Sequence, residues 1–163
     1  MIDKLDTAVV EPTYNWQIDL ATPATKLVKG VDGLYRFDNV KERRTGHNVI
    51  TTAGIQEIIA LLTGTGTAFT HLAIGSGTTS ASSGQTALVS EQRRDTFTSE
   101  LISTDRITWQ YLLPSTDLNG TTFGEAGVFN AASAGTMLNR YTYPPFTKTS
   151  GIQALYTVAL TIS

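Results

Sequence analysis

Cysteine is absent from the 163-residue sequence, and histidine occurs only twice, at His47 and His71. Without cysteine the chain can form no disulfide bond, no thiolate nucleophile and no cysteine-based zinc site. The two histidines do not match a metal-ligand spacing, and no aspartate-rich calcium loop occurs. We therefore expect neither a metal ion nor any other cofactor.

Long apolar runs are absent as well. No stretch approaches the roughly 20 apolar residues that a membrane helix needs. Residues 1–16 alternate charged and apolar side chains without a long apolar core, which is not the pattern of a signal peptide. We expect no membrane segment, and a protein that is made in a cytoplasm and remains soluble.

Charge is scarce in this sequence. Charged residues make up 16% of the chain and the net charge is −2, so there is no global attraction to nucleic acid or to an anionic membrane. Two small basic groups stand out, Lys41-Arg43-Arg44 and Arg93-Arg94. Neither is interleaved with aromatic residues. We expect them to be solvated or to contact acidic patches of a partner, with no nucleic acid bound.

Alternation of apolar and polar residues dominates the later part of the sequence. The clearest runs are residues 106–113 and 154–162, where apolar side chains recur at every second position. Turn signals separate such runs, at Asn119-Gly120, Ala134-Gly135 and Ser150-Gly151. This pattern predicts a mainly β fold, an antiparallel β-sandwich or jelly-roll-like domain.

One short α-helix is predicted over residues 52–63. Thr51 or Thr52 can cap its N terminus, because a hydroxyl accepts a hydrogen bond from a free backbone N–H, and Gly64 ends the run. The apolar residues at helical spacing are Ile55, Ile58, Ile59 and Leu62. They form one stripe, so we expect the helix to lie with this stripe on the rest of the fold.

Residues 1–45 differ from the rest of the chain. Proline and glycine are frequent there and the periodicity is poor, with "YNWQIDLA" and "GLYRF" as the best strand candidates. We therefore predict an extended N-terminal arm over residues 1–45 and a β-sandwich domain over residues 46–163. The arm could wrap its own domain or reach a neighbouring subunit, and the sequence leaves both courses open.

The stretch "HLAIGSGTTSASSGQTAL", residues 71–88, resembles a strand that leads into a phosphate-binding loop. A P-loop requires a lysine after its second glycine, but no lysine occurs between Lys41 and Lys148. A dinucleotide-binding loop requires a third glycine where Ser80 stands. Ser76 lacks the spacing of a hydrolase elbow, and its nearest histidine, His71, sits in an apolar strand. We interpret the loop as a turn.

Glu125, in "TFGEAGVFN", is the one carboxylate whose apolar neighbours indicate partial burial. Glycosidase chemistry requires a second carboxylate at a set distance, and the sequence identifies none. We expect Glu125 to form an ion pair with Arg140 or Arg106 across neighbouring strands. We assign no catalytic, cofactor-binding or metal-binding residue and predict that the protein is not an enzyme.

Several segments, taken in order, resemble a recurring type of bacteriophage virion protein. They are "NVITTAGIQEIIALLTG", "FTHLAIGSGTT", "TALVSEQRR", "GEAGVFNAASAGTMLNRYTY" and "LYTVALTIS". The likeness lies in the order of the segments and covers residues 48–163. Members of that group look like small structural proteins of tails, tail fibres and their attachment points.

The resemblance implies a non-enzymatic virion protein at the tail fibre, the tail tip or the fibre attachment point. Such a protein would form a homo-oligomer and dock to other phage tail or neck proteins. One alternative is a capsid-surface decoration protein. Another is a carbohydrate-binding receptor module with Trp109, Tyr111, Tyr141 or Tyr143 as stacking platforms, which burial of these rings would contradict. An enzyme that uses Glu125 is a third.

Overall fold

The computed structural model describes residues 12–162, and of residues 12–14 only the backbone. Within this range the chain forms twelve β-strands and one α-helix. In chain order they are β1 Pro12–Ala21, β2 Leu27–Lys29, β3 Tyr35–Phe37, β4 Glu42–His47, β5 Val49–Ile50, α1 Thr52–Leu62, β6 His71–Gly75, β7 Glu91–Thr96, β8 Ser99–Ile102, β9 Arg106–Leu113, β10 Thr122–Phe129, β11 Met137–Thr147 and β12 Gln153–Ile162.

Ten of these strands form two five-stranded sheets. Sheet I has the strand order β4-β1-β12-β9-β8, and sheet II has the order β5-β11-β10-β6-β7. The remaining strands, β2 and β3, pair with each other as a small hairpin. All neighbouring strands in the two large sheets run antiparallel. The predicted mainly β, sandwich-like fold is therefore confirmed.

One apolar core lies between the two sheets. Sheet I contributes the alternate residues of β1, β9 and β12, such as Trp16, Trp109 and Tyr156, and sheet II contributes residues such as Leu72 and Val128. The period of two in the sequence thus marks the face that is removed from water. Aromatic rings join the sheets: Trp16 of sheet I stacks on Tyr141 of sheet II, with ring centroids 5.7 Å apart.

Strand β1 lies inside sheet I. It pairs with β12 along its full length, from Pro12 opposite Ile162 to Ala21 opposite Gln153, and with β4 on its other side. The sequence left open whether the N-terminal segment packs on its own domain or reaches a neighbouring subunit. In the structure, residues 12–45 pack on their own domain. The division between residues 45 and 46 falls within β4. Residues 1–11 lie outside the described range.

Helix α1 begins at Thr52 and ends at Leu62, close to the predicted bounds. Thr51 is the cap, since its Oγ1 accepts a 2.8 Å hydrogen bond from the Gly54 N–H. The prediction that the whole apolar stripe faces the fold is wrong, because Ile55 and Ile59 are exposed. Gly54 is the buried residue: a Cβ there would meet the Leu138 carbonyl oxygen at 2.4 Å, so glycine lets the helix backbone approach β11 directly.

The β2–β3 hairpin covers part of the outer face of sheet I. The buried amide of Gln110 attaches it, accepting at Oε1 from the Tyr35 N–H (2.6 Å) and donating from Nε2 to the Tyr35 carbonyl (2.9 Å). The side chain therefore makes the two hydrogen bonds that a neighbouring strand would make. The only helix within residues 12–162 is far too short to span a bilayer.

Candidate functional site

Glu125 lies in the middle of β10, and its side chain is fully buried. Its neighbour Ala126 points into the core, so the side chain of Glu125 points to the opposite face of sheet II. On that face the loop of residues 76–90, here called the glycine loop, folds back over the sheet. Leu88 of the loop packs on Ala73, Phe129 and Met137 in a small second apolar cluster. Glu125 is thereby sealed beneath the loop.

The carboxylate of Glu125 accepts three hydrogen bonds from the backbone of the glycine loop. The donors are the N–H groups of Gly77 (2.9 Å), Val89 (3.0 Å) and Ser90 (2.7 Å). Converging backbone N–H groups are what a phosphate-binding loop presents to its ligand. Here the anion is part of the protein, so these donors are already occupied, and the interpretation of the loop as a turn gains a physical reason.

The glycines of the sequence motif make room for this carboxylate. A Cβ on Gly77 would lie 2.4 Å from Oε1 of Glu125, and one on Gly75 would lie 2.6 Å from the same atom. Either contact is shorter than non-bonded atoms tolerate. Glycine at these positions therefore serves an internal contact, although the same spacing suggests an external ligand.

Arg140 neutralises Glu125 from the adjacent strand β11. Its Nε donates to Oε2 of Glu125 at 2.8 Å, both side chains are fully buried, and Nη1 donates to Oε1 of Gln85 at 3.0 Å. The predicted ion pair is confirmed, with Arg140 as the partner. Burial raises the pKa of Glu125, but the hydrogen bonds from Ser90, Val89, Arg140 and Gly77 outweigh it and bring the pKa below its ordinary value.

Ser76 and His71 do not form the nucleophile and base that their proximity in sequence suggested. They stand at opposite ends of β6. The Ser76 hydroxyl donates to Oγ of Ser90 at 2.9 Å, and His71 shares a 2.8 Å hydrogen bond between its Nδ1 and Oγ1 of Thr70. Each side chain contacts a neighbouring hydroxyl.

Lys148, directly after β11, is a third fully buried charged residue, besides Glu125 and Arg140. Its Nζ donates to three oxygens, the carbonyls of Ser115 (3.1 Å) and Thr149 (3.1 Å) and Oδ1 of Asn119 (3.0 Å). Residues 114–120, here called the lysine turn, wrap around this ammonium group. Burial lowers the pKa of Lys148, and the charge of Asp117 offsets part of that effect.

The backbone of the lysine turn is held to the same residue. The Gly120 N–H donates to the Lys148 carbonyl at 2.8 Å, and the Lys148 N–H donates to the Thr121 carbonyl at 2.8 Å. Leu118 and Gly120 both have positive φ, 53° and 90°. The sequence predicted a turn at Asn119-Gly120 but gave no signal for Lys148, which lies 29 residues from Asn119.

The arginines of the two basic groups are paired within the chain. Arg43 donates to both carboxylate oxygens of Asp19, at 2.7 and 2.9 Å, and Arg93 donates to Asp117 at 2.8 Å. Arg94 donates to both carboxylate oxygens of Glu91, and its guanidinium lies 3.5 Å from the ring centroid of Phe129. These arginines therefore stabilise neighbouring strands and loops.

The four aromatic rings considered as sugar-stacking platforms are buried. Trp109, Tyr111, Tyr141 and Tyr143 are each between 3% and 5% exposed. Trp109 donates to Glu100 at 2.7 Å, and Tyr111 donates to Asp95 at 2.9 Å. The hypothesis that these rings stack on a carbohydrate is wrong, because their faces pack in the core.

Within residues 12–162, no group of three or more histidine, aspartate or glutamate side chains is arranged to hold a metal ion. Comparisons with protein-family profiles, with curated proteins and with solved structures gave no match. The polar residues that draw attention in the sequence thus act on the protein's own loops. What the chain does must be argued from its residues and its surface.

Proposed function

We propose that the protein is a non-enzymatic structural component of a bacteriophage virion. In this proposal it belongs to the tail, as a tail fibre, tail tip or fibre attachment protein. It associates with copies of itself and docks to other phage tail or neck proteins. The ordered set of segments over residues 48–163 that resembles such virion proteins is one support.

The observation that carries the proposal is that the buried charged side chains bind groups of the protein's own loops. Glu125 is sealed from solvent and accepts four hydrogen bonds from the chain itself, so it offers no open side to a substrate. Lys148 is held by three oxygens of its own turn and of the next residue. Groups that would carry chemistry in an enzyme here hold long loops on a rigid sandwich, which suits a structural module.

The surface supplies a second support, because apolar side chains are exposed at several separate places. The helix exposes Ile59 and Leu62, the β2–β3 hairpin exposes Val31, and the ends of β8 and β12 expose Ile102 and Ile162. Ile59 and Leu62 lie on one helix, and Ile102 and Ile162 line one shallow depression, so two of these places group apolar side chains as surfaces that pack against other proteins do. A subunit that contacts several neighbours in a particle needs more than one such surface.

Labelling of whole particles tests the position. Antibodies against the protein, applied to particles of a phage that encodes it, should mark the tail in electron micrographs. Label over the capsid surface would replace the tail assignment with a decoration protein. Particles without label, from cells that express the protein, would refute a virion role altogether.

Mass measurement in solution tests self-association. Light scattering or native mass spectrometry of the full chain should give a multiple of the 17.5 kDa subunit mass. A version that lacks residues 1–11 shows whether that segment contributes to assembly. Truncation should not extend to residue 45, because it would remove β1 from the interior of sheet I. A monomer at all concentrations would contradict self-association.

A further inference from the structure

The geometry points to Lys148 and Asn119 as partners in an intramolecular amide bond, formed between Nζ of the lysine and Cγ of the asparagine. This bond would be a covalent modification of the chain by itself. It does not depend on the proposed function, since it rests only on the placement of the two side chains.

The reacting groups are already in contact. Nζ of Lys148 lies 3.0 Å from Oδ1 of Asn119. Since the carbonyl bond is about 1.2 Å long, Nζ lies within about 4.2 Å of Cγ. Reacting atoms in productive complexes are about 3–3.5 Å apart, so Nζ has to approach Cγ by at most about 1 Å.

Burial of Lys148 without a counter-ion in contact with Nζ shifts its equilibrium toward the free amine, in which the lone pair takes the place of one of the three hydrogen bonds that Nζ donates. Lys148 is fully buried, and the three atoms that accept from Nζ are uncharged oxygens. Asp117 lies in the same turn, but its carboxylate is held by Thr116 and Arg93. Burial lowers the pKa of Lys148, which raises the fraction of free amine.

The amide of Asn119 is held in place beside Nζ of Lys148. Its Nδ2 donates to the Ser115 carbonyl at 3.0 Å, the same oxygen that accepts from Nζ of Lys148. The nucleophile and the leaving nitrogen are thus held by one acceptor. Asn119 and Gly120 are exposed whereas Lys148 is buried, so the leaving group has a direct path to solvent.

The reaction balances without an oxidant or a co-reactant. The lysine ammonium loses one proton to solvent, and the free electron pair of Nζ attacks Cγ. The Nζ–Cγ bond forms, the Cγ–Nδ2 bond breaks, and the second proton of Nζ passes to the departing nitrogen. A lysine ammonium and a primary amide become a secondary amide and an ammonium ion. The bond closes the chain between the lysine turn and the end of β11.

Intact mass spectrometry of the folded full chain tests the bond. The wild-type mass should be lower than the sequence mass by one ammonia, about 17 Da. Trypsin cuts after Arg106 and Arg140, so residues 107–140 and 141–163 should be recovered as one linked species, uncut after Lys148. The variants Lys148→Arg and Asn119→Ala should have their sequence masses, whereas Lys41→Arg, at an exposed lysine, should keep the loss.

Three results would overturn the proposal. The first is a wild-type chain at its sequence mass with the two peptides separate. The second is a gain of about 1 Da at Asn119, which shows attack by water. The third is the loss of ammonia with normal cleavage after Lys148, which shows a succinimide formed by the Gly120 nitrogen. All are read on wild-type protein, so the outcome does not require that a variant folds.

Discussion

The glycine loop and the lysine turn are each built around a buried charge, and the two charges have opposite signs. Around Glu125 the backbone presents N–H groups, from Gly77, Val89 and Ser90. Around Lys148 the backbone presents carbonyl oxygens, from Ser115 and Thr149. In both cases a segment without regular hydrogen bonds satisfies its own polar groups by binding a side chain from a neighbouring strand.

The two sites differ in their counter-ions. Glu125 has the buried guanidinium of Arg140 at 2.8 Å, whereas Nζ of Lys148 donates only to uncharged oxygens. The pKa of each group is lowered, which favours the charged form of the glutamate but the neutral form of the lysine. For Glu125 the charged form is favoured by its partners, and for Lys148 the charged form is disfavoured by burial. The first site therefore neutralises its buried charge with a partner charge, whereas in the second the buried charge is held by uncharged oxygens alone.

Removal of the Glu125 carboxylate should lower the stability more than any other change at the two sites. Glu125→Ala leaves Arg140 buried without its counter-ion and three loop N–H groups without their acceptor. We expect a loss of about 3–5 kcal/mol in the free energy of unfolding, measured in urea. Glu42→Gln, which disrupts an exposed pair with Arg44, is the control and should cost under about 1 kcal/mol. Equal losses for the two variants would show that the glycine loop does not depend on Glu125.

Removal of the ammonium group should have the next largest effect. Lys148→Met keeps the apolar stem but removes the one group that donates to the Ser115 carbonyl, the Thr149 carbonyl and Oδ1 of Asn119 together, and it prevents the proposed bond. We expect a loss of about 2–4 kcal/mol and faster amide hydrogen exchange in residues 114–120. Lys41→Met should change neither quantity. Unchanged exchange in the lysine turn of Lys148→Met would refute the organising role of this residue.

Two glycines of the same loop provide a matched pair with a smaller effect. Gly77→Ala places a Cβ 2.4 Å from Oε1 of Glu125, whereas a Cβ at Gly84 meets no atom within 4 Å. We expect Gly77→Ala to cost about 1–3 kcal/mol and Gly84→Ala to be neutral or stabilising by up to about 1 kcal/mol. Thermal unfolding of the two variants measures the difference. A Gly77→Ala protein as stable as wild type would show that the contact with Glu125 is not tight.

The smallest effect concerns pH. Because the pKa of Glu125 is lower in the folded state, its contribution to stability is fully present above its ordinary value of 4.5 and is lost as the pH falls below that value. The free energy of unfolding in urea should therefore fall more steeply with decreasing pH for the wild type than for Glu125→Gln. Parallel curves for the two proteins would mean that the pKa of Glu125 is not lowered by folding.

Much of the fold could be predicted from the sequence because sheet and helix signals are local. The period of two placed residues such as Trp109 and Val158 on the buried face, and Thr51 marked the start of the helix. The helix face was misjudged, because Gly54 approaches β11 and Ile58 packs on the core, whereas Ile55 and Ile59 are exposed. Arg140 could be named as one of two possible partners of Glu125, beside Arg106, and the structure shows that Arg140 on the adjacent strand is the one.

The organisation of the loops could not be predicted from the sequence, because their contacts join distant residues. The Gly77 N–H finds its acceptor 48 residues away, and Nζ of Lys148 finds Oδ1 of Asn119 at a separation of 29. A glycine-rich loop and an asparagine–glycine turn have the same local pattern whether or not a charge lies beneath them. Only the strand register brings the buried charge and the loop together.

The pairing of β1 with β12 has a mechanical consequence. Pro12 stands opposite Ile162, so the two ends of the described chain leave the same corner of sheet I on adjacent antiparallel strands. Tension applied between these ends would pull along the ladder's hydrogen bonds and open them one pair at a time, like a zipper. Pulling from opposite ends of the two strands would instead load all the bonds together. In a filament under tension, this domain therefore resists unfolding better when force is applied through its faces than through residues 12 and 162.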